Sequence, residues 1–386
     1  MSKIKIILKK YPNIYKIAKA IRYLLISSLI KIDGSKKKYP RVVQLPITYR
    51  CNSRCKMCYI WQKDWSTDMN ALEFSHIIKD PIFKKVVAIG INGGEPALIS
   101  NLTDYAREVL KLPKIKSLNI ISNGFIKKPF LKSIEEIYKN CREKNVSFHI
   151  AISLDGVGKI HDTVRGRPNV FEKVVSTIDE IMANRHKYCD SIDVGCTIIR
   201  QNIDYLIELE AFAKSKNYTM TYRLGVDNKR IESDRLRDSY SVIYSQSLRQ
   251  GAKEFMHRKF FEATDLYDKF KYFSIFYWLN SDKPKRLLGC AWKDEGITMD
   301  ARGDLYYCAV ASDKIGGLRE SRGAEIFFSK KNIEHRKSII KNYCDRCIHD
   351  YSGKPEFENL IVFFRELWMD KFSMKIYKYK CMYGLI

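Results

Sequence analysis

Cys51, Cys55 and Cys58 fall in the run Thr48-Tyr-Arg-Cys-Asn-Ser-Arg-Cys-Lys-Met-Cys-Tyr59, which puts three thiols on one short loop directly after an apolar, strand-like stretch. Thiolates bind metals, and their number decides what the metal can do. A structural zinc site closes its shell with four ligands, whereas three cysteines around a cubane iron–sulfur cluster leave one iron open to something reactive. The loop alone admits other readings. A fourth ligand from elsewhere would complete a zinc site, and small thiols can simply fill a core. A second set, Cys290, Cys308 and the pair Cys344-Asp-Arg-Cys347, has enough sulfurs to close a shell, around zinc in a ribbon or around a cubane cluster. Cys141, Cys189 and Cys196 read as buried thiols.

Other polar groups recur where apolar runs end. Gly93-Gly94-Glu95-Pro96 joins two glycines, which let backbone come close to a ligand, to a carboxylate; by itself it could be only a turn. Ser153-Leu-Asp155-Gly156 ends another run, and Arg165 lies a few residues on in Ile160-His-Asp-Thr-Val-Arg-Gly166. A guanidinium fork matches a carboxylate in bidentate fashion, which an ammonium does not. Taken singly, Asp155-Gly156 is an ordinary turn and Arg165 a solvated helix charge. Their joint occurrence argues for a common pocket.

The elements that must position these groups are legible in the hydrophobic pattern. From about residue 42 to 226 short apolar strands alternate with longer helical patterns, as in a parallel α/β sheet or barrel. The predicted strands are 41–48, 86–92, 118–122, 148–153, 192–198 and 219–224. The cysteine loop, the Gly93-Gly94 element, Asn123-Gly124 and Asp155-Gly156 all lie at C-terminal strand ends, where parallel barrels build their chemistry. Residues 227–285 read as mostly helical and polar with interleaved Tyr and Phe, and 297–308 as a hairpin with Arg302-Gly-Asp304 near its turn. After Pro355 an apolar, aromatic helix runs toward Cys381. No internal repeat or low-complexity segment interrupts this order.

Composition sets the outer bounds. A chain of 386 residues with 45% hydrophobic and 12% aromatic residues can bury a large core, so disorder is excluded. Eleven cysteines at metal-ligand spacings, an odd number, exclude a secreted disulfide framework and point to the reducing cytoplasm of an anaerobe. The net charge of +25 would suit an anionic partner, yet Lys, Ile, Tyr and Asn are abundant along the whole chain, which fits a coding bias toward lysine. Within residues 1–38, Ile14, Ile17, Ile21, Leu24 and Leu25 share one helical face and Lys16, Lys19 and Arg22 the other. That basic amphipathic helix is too short in its apolar run to span a bilayer. It could lie on an anionic membrane surface, peripheral to the membrane, or cover the open side of the core.

The C-x3-C-x2-C spacing, with Gly93-Gly94-Glu95-Pro96 one strand later, resembles the radical S-adenosylmethionine (SAM) family. The resemblance covers residues 42–225 by motif and 286–350 by cysteine spacing only. It implies an α/β fold, a partial (β/α)6 TIM-like barrel with a smaller C-terminal auxiliary-cluster domain of twitch or SPASM type. The expected divisions are an N-terminal helix at 1–40, the barrel at 41–226, a helical bridge at 227–285, the auxiliary domain at 286–350 and a C-terminal helix at 351–386.

It also implies cofactors and roles. Cys51, Cys55 and Cys58 would hold a 4Fe-4S cluster whose open iron chelates SAM; one electron passed to the sulfonium yields a 5′-deoxyadenosyl radical that takes hydrogen from the substrate. Gly93, Gly94 and Glu95 would accept from the SAM ammonium, with Ser122 and Asn123 facing the same pocket. Ser153 and Asp155 would meet the ribose and the methionine carboxylate, Arg165 would clamp that carboxylate, and Tyr59 would stack on adenine. Met57 stands where the family often has an aromatic residue, and Asn202 and the Leu224 backbone are lesser adenine candidates. Cys290, Cys308, Cys344 and Cys347 would ligate an auxiliary 4Fe-4S cluster, while Tyr351, Gly353 and Lys354 occupy places where a second auxiliary cluster would need cysteines.

A single auxiliary cluster of this kind most resembles the dehydrogenase of the butirosin pathway, in which the cluster can accept an electron from a substrate radical. The implied function is oxidation or rearrangement of a small polar, sugar- or nucleotide-linked substrate, driven by an external one-electron donor such as flavodoxin or ferredoxin. A ribosomal-peptide maturase is the alternative, disfavoured because only about forty residues precede the first strand, too few for a winged-helix peptide-recognition domain. A zinc-stabilised RNA-binding module would need an aromatic stacking platform or a known RNA-binding motif, and neither is found, so no nucleic-acid partner is expected.

Overall fold

The computed structural model describes residues 38–367. The expected N-terminal helix, the end of the C-terminal helix and Cys381 lie outside the described residues.

Six parallel strands, β1 (Val42–Pro46), β2 (Ala88–Asn92), β3 (Ser117–Ser122), β4 (Ser147–Ser153), β5 (Ser191–Ile198) and β6 (Met220–Leu224), are hydrogen-bonded in sequence order. The helices α1 (Ala71–Ile77), α2 (Leu102–Val109), α3 (Lys127–Glu143), α4 (Lys159–Arg165), α5 (Phe171–Ala183) and α6 (Leu206–Ser215) return the chain between them. Period-two alternation explains why the strands sit as they do. In β4, Phe148, Ile150 and Ile152 are wholly buried while the intervening His149 and Ala151 are not. The buried set meets α2 through Leu102, Tyr105, Ala106 and Val109, and α3 through Phe130, Ile134, Ile137 and Cys141, both at helical spacing. Each such apolar side chain contributes roughly 1.5–3 kcal/mol on burial, which makes this layer the anchor for everything on the loops. Helix α1 starts on a capping box between Asn70 and Glu73.

The opposite face of the strands is polar. One register layer reads Thr298, Gln44, Gly90, Asn119 and His149 across neighbouring strands. Cys141, Cys189 and Cys196 are buried in the apolar layer, as expected.

Tertiary pairing decided one feature the pattern left open. The expected hairpin is present as β7 (Gly296–Met299) and β8 (Asp304–Tyr306), followed by the short β9 (Gly316–Gly317), but β7 pairs in parallel with β1. The second cysteine region therefore continues the barrel sheet. The two longest helices of the bridge are α7 (Gln246–Glu262) and α8 (Leu266–Leu279), whose Phe260, Phe270 and Phe273 pack on Phe363 of the helix at 357–367. Trp278 Nε1 donates to the Arg346 carbonyl at 3.0 Å, so α8 braces the Cys344–Cys347 turn. Among the described residues no helix is long and apolar enough to cross a membrane.

Candidate active site

The three cysteines of the first loop converge, and the end of α4 holds them in place. Arg54 N and Lys56 N donate to the carbonyls of Arg165 and Val164 at 2.8 and 3.0 Å, and the Ser53 hydroxyl donates to Arg165 O at 2.9 Å. Ser53 Oγ lies 3.0 Å from Cys55 Sγ, Ser53 N donates to Cys51 Sγ at 3.4 Å, and Arg165 Nη1 donates to Cys55 Sγ at 3.5 Å. Burial pushes the Cys51 and Cys58 thiols up to about 12, and charge on the neighbouring sulfurs adds to it. A metal bound among these sulfurs would have to displace the Cys51 and Cys58 protons, and its positive charge would offset the repulsion between thiolates.

The glycine-rich element packs directly beneath this loop. Gly94 N donates to Thr48 O at 2.6 Å and Glu95 N to Arg50 O at 2.9 Å. A Cβ on Gly94 would overlap the Arg50 carbonyl, and one on Gly93, whose φ is +149°, would stand 2.5 Å from Thr48 O. The close approach these glycines permit is therefore to the cysteine loop's own backbone. Gly94→Ala should cost about 1–3 kcal/mol through overpacking, and the displaced loop should retain less iron. Unfolding midpoints and iron content measured together check this, and wild-type values for both would show the contact to be slack.

Glu95 is buried, and its carboxylate already accepts three hydrogen bonds, from Ser122 Oγ at 2.7 Å, Asn123 N at 2.7 Å and Ala97 N at 3.0 Å. Burial raises its pKa and these donors oppose the rise. Asn123 Nδ2 in turn donates to Asn52 Oδ1 at 2.7 Å, within the cysteine loop. Glu95, Ser122 and Asn123 are thus brought together as expected, in a network that fixes the ends of β2 and β3 against that loop.

Asp155 and Arg165 also meet, chiefly with each other. Arg165 Nη2 lies 2.6 Å from Asp155 Oδ2, with the carboxylate side chain wholly buried and the guanidinium nearly so. Asp155 Oδ1 accepts from Thr197 N at 2.8 Å, and Asp155 N donates to His161 Nδ1 at 3.1 Å. Burial, with the Arg165 charge nearby, holds His161 well below its ordinary pKa. Asn202, an adenine candidate by sequence, is wholly buried and spent on tying strand ends together: Nδ2 donates to Asp155 O and Thr197 O, and Oδ1 accepts from Ile199 N. Ser153 pairs with Gly195 in the sheet. Tyr59 is half-buried with Arg235 over its ring at 5.6 Å, and Met57 packs beside Val164, Ile199 and Tyr240. The Leu224 side chain belongs to the apolar core.

The second set gathers as well. Cys290, Cys308, Cys344 and Cys347 line one cavity with Trp292 and Tyr351, whose rings stack at 4.0 Å. Burial and the charges of the other three sulfurs push Cys344 up to about 12. Arg286, which spacing did not single out, organises the rim. Its guanidinium donates to the carbonyls of Cys347 and His349 at 3.0 and 2.8 Å, and to those of Leu288, Gly289 and Tyr351. Gly353 and Lys354, which stand where further cysteines were sought, pack backbone to backbone on Gly289 and Cys290, too tightly for a Cβ on Gly289. The only hint in sequence was an arginine four residues before Cys290.

The two sites are physically joined. Tyr49, beside Cys51, donates its hydroxyl to Asp300 Oδ2 at 2.5 Å, and Asp300 Oδ1 holds the β7–β8 turn through Arg302 N and Asp304 N. A sequence profile of the radical SAM superfamily matches residues 45–213, the span that carries the first cysteine loop and the strand-end network. Residues 45–213 thus carry the sequence signature of that superfamily. A GTP 3′,8-cyclase of Campylobacter jejuni is 31% identical over 205 residues, covering 52% of this chain and 59% of that one. The chain thus spans less than two-thirds of that cyclase's length. A Fe-coproporphyrin III synthase of Methanosarcina barkeri is 25% identical over 356 residues, 82% of each chain. Two solved structures share the fold: anSMEcpe with bound AdoMet and a peptide, at TM-score 0.54 and 15% identity over 89% of this chain and all of that one, and Streptococcus suis SuiB bound to precursor peptide SuiA, at 0.54 and 16% over 85% and 72%.

Proposed function

We propose that Cys51, Cys55 and Cys58 hold the SAM-binding cluster, that Cys290, Cys308, Cys344 and Cys347 hold an auxiliary 4Fe-4S cluster, and that the enzyme oxidises or rearranges a small polar substrate between them. The observation that carries this reading is the joining of the two cysteine sites through Tyr49 and Asp300 at the mouth of one continuous sheet. Both sites also suit a cluster in donor chemistry, since backbone N–H groups point at sulfur in each, from Ser53 to Cys51 at 3.4 Å and from Ala311 to Cys308 at 3.4 Å. Bound there, the first cluster and SAM supply a hydrogen-abstracting 5′-deoxyadenosyl radical.

The chain's own groups do the rest. Gly93, Gly94 and Glu95, with Ser122 and Asn123, shape the pocket floor, and Ser153, Asp155 and Arg165 position the methionine and ribose end, with Tyr59 at the adenine. Arg165 bridges Asp155 and Cys55, so it holds positive charge beside both the first cluster's sulfur and the SAM pocket. The polar layer of Gln44, Asn119 and His149 on the sheet's concave face suits a polar substrate. Relatives named for GTP and for a coproporphyrin support a metabolite substrate; the likeness to peptide-bound structures at 15–16% identity is one of scaffold.

On this reading residues 41–226 and 286–350 are the two cofactor-bearing units, with 227–285 bracing the second, and a flavodoxin- or ferredoxin-like protein supplies electrons in a reducing cytoplasm. Cys344→Ser or Cys347→Ser should lower iron from about eight to about four per chain, leaving SAM cleavage but stopping product formation. About one zinc and four iron in the wild type would instead establish a zinc ribbon at the second site.

A further inference from the structure

Residues 229–231 form a wedge between the two cysteine sites. Lys229 N and Arg230 N donate to the carbonyls of Val310 and Ala309, directly after Cys308, at 2.9 and 3.3 Å. Ile231 packs with Tyr49, Ile60 and Ala301 in the small cluster that also contacts Cys51 and Cys58. The segment that carries Arg230 is therefore held to both sites at once. Its side chain is only half-buried overall, yet Nε and Nη1 are fully shielded from solvent and have no hydrogen-bond partner. Its charge reaches the Tyr49 hydroxyl, which donates its own proton to Asp300. Its charge acts on Cys58 on one side and on Tyr306 and Tyr351 on the other, and Tyr351 lines the second cavity.

Buried N–H donors on a cation are costly to leave unmet, because the group has lost its water and gained nothing in exchange. Two cations nearby have carboxylate partners of their own, Arg223 with Asp350 at 3.5 Å and Lys63 with Glu232. We infer that Arg230 binds an oxyanion of the substrate, a phosphate or a carboxylate, and so fixes the substrate between the SAM-binding cluster and the auxiliary one. The inference rests on the function proposed above and adds the substrate's charge to it. A planar guanidinium suits either oxyanion.

The test is calorimetric titration of cluster-loaded full-length enzyme with inorganic pyrophosphate and, separately, with citrate at matched ionic strength. The wild type should bind at least one of them stoichiometrically, and Arg230→Met should bind it about tenfold to hundredfold more weakly, with Arg230→Lys between the two. Iron content and SAM affinity should match wild type in both variants. Binding of neither anion, or equal binding by Arg230→Met, would overturn the inference. So would a parallel loss of SAM affinity, which would assign the guanidinium to SAM. The proposed cluster reading fails separately, by wild-type protein reconstituting without iron at the first loop.

Discussion

Replacing Cys51, Cys55 and Cys58 together with alanine should abolish reductive formation of 5′-deoxyadenosine and lower iron from about eight to about four per chain. The fold should survive. The loop is held by backbone hydrogen bonds to the end of α4 and by Gly94 and Glu95 beneath it, none of which uses a sulfur. Circular dichroism of the triple variant should therefore overlay the wild type while SAM cleavage disappears. Dithionite-dependent 5′-deoxyadenosine from that variant would remove these three residues from the reactive centre. Single replacements should behave alike, since a cluster missing one of three protein ligands has no spare sulfur close by: among the described residues the other cysteines lie in the apolar core or in the second cavity.

Arg165→Ala should have the second largest effect, and on two quantities at once. Asp155 is wholly buried, so loss of the guanidinium 2.6 Å away strands a carboxylate with Thr197 N as its remaining hydrogen-bond donor. Breaking a buried pair from one side typically costs about 3–5 kcal/mol, to be read as a fall in denaturant midpoint at unchanged slope. If Arg165 also clamps SAM, affinity should weaken about tenfold to hundredfold. The two roles separate in the double variant Asp155→Asn with Arg165→Ala. Removing the stranded charge should restore much of the stability and none of the SAM affinity. A double variant that regained both would mean Arg165 serves only to neutralise Asp155, and a single variant as stable as wild type would mean that the pair is solvated in solution. Arg165→Lys should fall between, because an ammonium cannot reach Asp155 and Cys55 together as the fork does.

Much of this fold could be read from local pattern. The six parallel strands follow from short apolar runs separated by helical periods, and each predicted strand overlaps an observed one. Strand-end motifs land together because a parallel barrel brings all its C-terminal strand ends to one rim, whatever the separation in sequence. Cysteine spacing likewise announced both cysteine groupings, since the loops that carry them are short and a cluster would demand several sulfurs within one small volume.

What spacing could not reveal is which atoms are already engaged. Glu95, Ser122 and Asn202 carry the right chemistry for a ligand, yet they spend much of it on backbone and side-chain groups that only the packed structure places within reach. The glycines at 93 and 94 were legible as points of close approach, but what they approach, the carbonyls of Thr48 and Arg50, depends on how β1 and β2 stack. Arg286 and Arg230 escaped notice because nothing local distinguishes them among the 69 lysines and arginines of the chain. By itself the sequence determined the barrel, the two cysteine groupings and the resemblance to a family, because each is written in short-range periodicity and spacing. The joining of the second site to the barrel through β7 and β1, the Tyr49–Asp300 tie and the buried donors of Arg230 were decided by tertiary structure alone, because pairing across some 250 residues is set by which edge and which buried charge remain unmatched once the core has packed.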